Sequence, residues 1–244
     1  MNQYRTDLAI ECQETLDESA GIQMEKIEYN GGIHVTRIKI ISQEAAKKMG
    51  KPVGSYITLE ADGVLEEEDG IKEKTAKAVA GELGQLLRVD YTLKVLVAGL
   101  GNSLVTPDRL GPETAAKVRV TRHLFVIFDA DGDEEMSNVS CIIPGVTGST
   151  GMETAEVIKK AAEIVKPDVV IVIDSLAARD IDRVSTTIQL TDTGIQPGSG
   201  MGNHRAGINE ENIGVPVLAI GVPTVIDIKT ILRDALEENL DSAE

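Results

Sequence analysis

Val169-Val170-Ile171-Val172-Ile173, followed at once by Asp174, is an unbroken apolar run of β-branched residues. A strand with one wet face alternates apolar and polar residues, so a run like this suits a strand covered on both faces. Two more stretches read the same way, LKVLVA at residues 93–98 and VPVLAI at 215–220. The cover comes from the segments between them. In ETAEVIKKAAEIV at 153–165, Ala155, Ile158, Ala161, Ala162 and Val165 fall on one side of a helix, and Pro167 stops it before the strand begins. Helical patterns recur at 71–87, 112–118 and 228–240. Strand and helix alternate, which predicts an α/β fold with a mostly parallel sheet flanked by helices.

The stretch ahead of residue 70 has another character. IHVTRIKII at 33–41 and SYITL at 55–59 alternate as half-exposed strands do, with glycine-containing turns nearby. They predict a small β-rich extension over 8–69, packed on the main sheet, with the α/β catalytic part at 70–244. The two can also act as one domain over 8–244. The acidic run from Glu66 to Asp69 reads as a solvated loop before a helix.

Of the 244 residues 42% are hydrophobic, enough for a full core, so wholesale disorder is excluded. Aromatics are only 2% and Trp is absent, which argues against a single-strand nucleic-acid reader built on stacking platforms. The net charge of −16 repels phosphate backbones and anionic membranes, so neither is expected as a direct partner. Cys12 and Cys141 form no CxxC and suggest reduced thiols. No apolar run approaches membrane-spanning length, and the N-terminus is too polar for a secretory signal. A cytoplasmic location is expected.

Sites in open parallel sheets form beyond the carboxyl ends of strands. There this chain places Gly99-Leu100-Gly101-Asn102 and Thr106-Pro107-Asp108-Arg109-Leu110-Gly111-Pro112, then Asp174-Ser175, then Gly221-Val222-Pro223-Thr224. Gly99 and Gly101 begin a dinucleotide fingerprint, but Leu104 stands where its third glycine belongs. Asp108 and Asp174 are the sharper pair. If their strands are neighbours, both carboxylates face one crevice, where they cannot both ionise freely; one keeps a proton and serves as acid while the other serves as base. The competing reading makes Asp108 a cap for the next helix and Asp174 a cap for a turn. Asp129-x-Asp131-Gly132-Asp133 has its glycine out of place for a calcium loop. His34, His123 and His204 are scattered, without HExxH or a Cys/His cluster, so no metal or other cofactor is expected. The glycine-rich string at 197–202 reads as a mobile loop, and the backbone amides of the one at 144–151 suit an anion or an oxyanion, against a bare loop with Ser149 or Thr150 near the helix cap; Gly99, Gly101, Asn102, Gly148, Gly198, Ser199 and Gly200 are candidate cleft-lining residues.

These strings carry a resemblance. Arg5-Thr6-Asp7-Leu8-Ala9, Gly99-Leu100-Gly101-Asn102 through Pro112, Thr121-Arg122-His123-Leu124, Pro144-Gly145-Val146, Asp192-Thr193-Gly194-Ile195 through Gly200, and Gly221-Val222-Pro223-Thr224-Val225 resemble the germination protease family of spore-forming bacteria. The resemblance runs from about residue 4 to residue 230. It implies an endopeptidase that degrades small acid-soluble, DNA-coating spore proteins during germination, in the spore core. It also implies a fold related to hydrogenase maturation endopeptidases, a tetramer, a self-processing zymogen, and an aspartate-based mechanism whose two aspartates map onto Asp108 and Asp174. A metal-assisted peptidase of the hydrogenase maturation type, with Asp108 and Asp174 as ligands, is the alternative on the same fold. The family commonly continues well beyond the Gly-Val-Pro-Thr-Val strand, where this chain has a single acidic helix.

The resemblance also assigns a cleavage site. Thr6-Asp7-Leu8-Ala9-Ile10-Glu11 resembles the family's substrate string, an acidic residue, a large apolar one, Ala and a later Glu. An Arg or an amide nest reads the acid, a pocket reads the apolar side chain, and Ala lets the backbone approach. Cleavage is expected between Asp7 and Leu8, releasing a pro-segment of residues 1–7. The plainer reading of Asp7 to Glu11 is a first short strand.

Overall fold

The structure, a computed structural model, describes residues 6–14, 21–61, 63–65, 68–128, 136–198, 205–226 and 231. Its strands are β1 (Ile22–Tyr29), β2 (Ile33–Ile40), β3 (Gly54–Ala61), β4 (Lys94–Gly99), β5 (Asn138–Ile142), β6 (Val169–Ala178), β7 (Thr187–Thr191) and β8 (Val217–Ile226). They lie side by side in one eight-stranded sheet, ordered β1-β2-β3-β7-β8-β6-β4-β5.

The sheet is mixed, which corrects the expectation of a mostly parallel one. β5, β4, β6 and β8 pair in parallel, whereas β1, β2, β3, β7 and β8 pair antiparallel. The connections explain the split. β1 turns into β2 through Asn30-Gly31-Gly32, whose glycines have φ of +98° and +72°, a reversal too short for a parallel crossover. Between β4, β5 and β6 lie helices, whereas β6 reaches its parallel neighbour β8 by way of β7 and α8. The N-terminal strands do not pack on the main sheet as a layer. They extend it edge-on, through β3 paired with β7.

The described helices are α1 (Ala9–Glu14), α2 (Gln43–Met49), α3 (Ile71–Leu86), α4 (Leu110–Ala115), α5 (Arg122–Phe128), α6 (Thr147–Thr150), α7 (Thr154–Val165) and α8 (Glu210–Ile213). The expected helix at 228–240 falls outside the described residues, apart from Ile231. Alternation along β6 sends Val170 and Val172 to the face covered by Ile158 and Ala162 of α7, and Ile173 to the opposite face with Val95, Val97 and Leu86. Further along the α7 face, Leu176 and Ala178 join Leu8, Ala9, Ile10, Ile38, Ile40, Ala45, Met49 and Tyr56 in a second cluster. α1 and α2 therefore cover the sheet where α7 ends. Among the described residues no helix is long and apolar enough to cross a membrane.

Candidate active site

Asp174 lies within β6, not beyond it. The strand runs on to Ala178 because its ladder with β8 continues past Asp174↔Gly221, through an irregularity at Leu176/Ala177. The polar Asp174-Ser175 pair looked like a strand end, but backbone pairing carries the strand through it. Its position also sets its direction: Asp174 points to the face of Val172 and Leu176, between two apolar clusters. It is 6% exposed, and its Oδ1 accepts from Ser175 N at 2.9 Å. Burial, which opposes the charged form, pushes its pKa up to about 7; the charges of Asp108 and Asp7 add to the rise, and Ser175 N–H and Arg205 oppose it.

Asp108 reaches the same place from β4, the parallel neighbour of β6. It ends a 3-10 turn, Thr106–Asp108, in the loop after the strand. One amide, Asn102 N–H, donates to both Asp108 Oδ2 at 2.9 Å and Asp108 O at 3.0 Å, and Thr224 Oγ1 of β8 ties down Pro107 O at 2.6 Å. The carboxylate is thus held by the loop that carries it. It caps no helix, since the residue preceding α4 is Arg109 and makes no side-chain cap bond. Asp108 is half-buried; desolvation raises its pKa above the usual carboxylate value, against the Asn102 amide and Arg205.

Gly101 makes this turn possible. Its φ is +114°, and a Cβ there would stand 2.1 Å from Asp108 O. Gly101→Ala should therefore displace Asp108 and lower proteolysis by about 10²-fold, the scale of a misplaced reacting group, while the sheet stays folded. Cleavage rate measured beside circular dichroism checks this.

The chain's own N-terminal segment lies along the end of β6, past Asp174, on which the charge of Asp7 acts. Asp7 N–H donates to Ala177 O, and Ala177 N–H donates to Asp7 Oδ2, each at 2.9 Å. Leu8 is fully buried in the cluster with Ile38, Ile40, Tyr56, Met49 and Leu176. Glu11 is buried too, its carboxylate accepting from Arg179 N at 2.8 Å and Asp180 N at 2.9 Å, with Arg183 at 3.5 Å. The acid, the apolar side chain and the later Glu each have their own receptor. From Ala9 onward the segment is the helix α1, not a short strand.

The carbonyl oxygen of Asp7 accepts from Lys51 Nζ at 2.9 Å and from Gln189 Nε2 at 3.0 Å. Lys51 follows α2, whose ends are set by Ser42, accepting from Ala45 N, and by Gly50 in the left-handed region at φ 65°. Gln189 pairs with Gly221, and Gly221 with Asp174. The three share one row across the sheet, so Gln189 and Asp174 flank Gly221, over which the Leu176 side chain packs. The Cα atoms of Gln189 and Asp174 are about 10 Å apart, two strand spacings.

Neither Lys51, Gln189 nor Arg205 was singled out by sequence reading. No local pattern marks them, because they converge from three separate parts of the chain; the only signal was the demand for a cation or amide near an acidic substrate residue. Of the glycines, Gly99 serves packing, since a Cβ there would meet Gly111 O of α4 at 2.2 Å. Gly148, in α6, has open space around it. Gly198 is described at φ 73°, whereas Ser199, Gly200, His204 and the 129–133 string fall outside the described residues. Among the described residues no three His, Cys, Asp or Glu side chains gather as a metal shell.

A buried carboxyl within β6 and a half-buried one in the loop after the adjacent parallel strand β4, with the chain's own N-terminal segment bound along the end of β6, are the site's features in this α/β fold. Over residues 2–241 the chain matches the family model described as germination protease, and it belongs to that family. It is 48% identical over 235 residues to a germination protease of Caldanaerobacter subterraneus subsp. tengcongensis, covering 96% of this chain and 72% of the relative. It is 44% identical over 246 residues to one from Clostridium perfringens (99% and 76%) and 43% identical over 249 residues to one from Bacillus subtilis (97% and 67%). The chain is a protease with a role in spores.

Proposed function

We propose that this protease is an aspartate-dependent endopeptidase that cuts its own chain between Asp7 and Leu8 and then degrades small acid-soluble, DNA-binding proteins in the spore core. The observation that carries the reading is the segment Thr6 to Glu11, lying along the end of β6 with Asp7, Leu8 and Glu11 each individually received and the charge of Asp7 acting on Asp174. Asp174, whose carboxyl keeps its proton up to about pH 7, is the acid. Asp108, more exposed, is the base. Water adds to the Asp7 carbonyl carbon as Asp108 takes its proton. Asp174 gives its proton to the Leu8 nitrogen, the C–N bond breaks, and an Asp7 carboxylate and a Leu8 amine separate. Family resemblance supports the spore-protein substrates, whose cleavage string this segment matches.

A segment seated in its own cleft reacts intramolecularly. Self-cleavage of the purified chain should be first-order, with a rate constant unchanged over a hundredfold range of protein concentration, on the order of 1 to 100 μM. It should leave Leu8 as the new N-terminus and slow as pH rises through about 7, where Asp174 loses its proton. Time courses with N-terminal sequencing check all three, and a start at any other residue refutes the assigned bond.

A further inference from the structure

We propose that Lys51 and Gln189 form an electrophilic clamp, holding the carbonyl oxygen of the bond to be cut and taking up the charge that develops on it. The inference rests on the reading that Asp7–Leu8 is that bond.

Two side-chain donors from distant parts of the chain meet on one backbone oxygen, Lys51 Nζ at 2.9 Å and Gln189 Nε2 at 3.0 Å. One donor satisfies a resting peptide carbonyl; a second that carries full positive charge suits an oxygen about to become negative. The orientation of the Gln189 amide is fixed by its other end, where Oε1 accepts from Ala9 N at 2.7 Å, so Nε2 must face Asp7 O. Gln189 is 6% exposed and thus preorganised. It grips the segment on both sides of Leu8, before and after the bond in question. When water attacks the carbonyl carbon, the π pair of the C=O moves onto this oxygen. The pair returns as the C–N bond breaks and Asp174's proton reaches the Leu8 nitrogen. In this scheme Asp174's proton is committed to the Leu8 nitrogen and Asp108 to the attacking water, so the oxyanion needs donors of its own. Lys51 and Gln189 are already within hydrogen-bond distance.

The test is self-cleavage of the full chain in Lys51→Met, Lys51→Arg and Gln189→Glu variants, with amide hydrogen exchange at Leu8 and Ala9 reporting whether the segment stays seated. Gln189→Glu keeps an acceptor for Ala9 N while replacing the donor. The clamp predicts that Lys51→Met and Gln189→Glu each slow cleavage by about 10²–10³-fold with exchange protection intact, and that Lys51→Arg restores at least about tenfold of the loss. Cleavage at the wild-type rate, still leaving Leu8 first, overturns the clamp and spares the cleavage site. Slow cleavage with lost protection makes the two residues anchors only and also overturns it. A wild-type product that begins elsewhere overturns the underlying reading instead. If one variant does not fold, the other decides, because the two donors come from separate elements.

Discussion

Asp108→Asn and Asp174→Asn should each lower self-cleavage by about 10³-fold or more, and the double variant should lose little beyond either single one. Asn keeps the shape of the carboxyl and its acceptor oxygen, so Ser175 N and Asn102 N retain their partners. What it cannot do is take a proton from water or give one to a leaving amine. The loss is non-additive because the two carboxyls act in one proton circuit: without the acid, the base activates water for a bond that cannot leave. Quenched time courses followed by gel and mass spectrometry measure the rate. More than a tenth of wild-type activity in either single variant would remove that residue from the mechanism.

The second large effect is on stability, and its sign changes with pH. Asp174 titrates near 7 when folded and near 3.9 in an unfolded chain. Below about pH 4 both states hold the proton, and the residue contributes no difference. From there to pH 7 the unfolded chain releases the proton while the folded one keeps it, so stability falls as pH rises, and above 7 the full cost of a buried charge remains. Three pKa units correspond to roughly 4 kcal/mol. Asp174→Asn, which has no charge to bury, should therefore melt about 10 °C above the wild type at pH 8 and at nearly the same temperature at pH 4. Asp108→Asn, equally inactive and uncut but at a half-exposed position, should gain much less. Calorimetry of the three proteins at both pH values tests this, and an Asp174→Asn protein no more stable than wild type at pH 8 would show that this carboxyl is not held against its charge.

The two expectations share one cause. A carboxyl placed between the α7 cluster and the Leu8 cluster loses the solvation of its charged form. That loss keeps a proton available for the leaving amine and makes the folded state less stable at alkaline pH. The chemistry and the instability come from the same burial.

Much of the α/β body was legible in the residues, and each element shows why. β4, the first half of β6 and the α7 helix were readable because unbroken Val/Ile/Leu runs and a helical apolar stripe have few alternative uses. β7, TIQLT, was not readable: Thr187, Gln189 and Thr191 look like a wet face but are buried. Asp108 and Asp174 stood out because acidic residues follow apolar runs there. The family resemblance also marked Asp7, Leu8 and Glu11 as a string of one kind. Tertiary structure decided the rest, namely the antiparallel half of the sheet, the continuation of β6 through Asp174, the meeting of Lys51 and Gln189 on the Asp7 carbonyl, and the approach of Arg205 to Asp108 and Asp174. The reason is physical. Local patterns report which face of an element is apolar, since burial acts residue by residue. Strand order and the convergence of polar groups depend on pairings between segments more than a hundred residues apart, such as Gln189 Nε2 with Asp7 O, and no local periodicity encodes those.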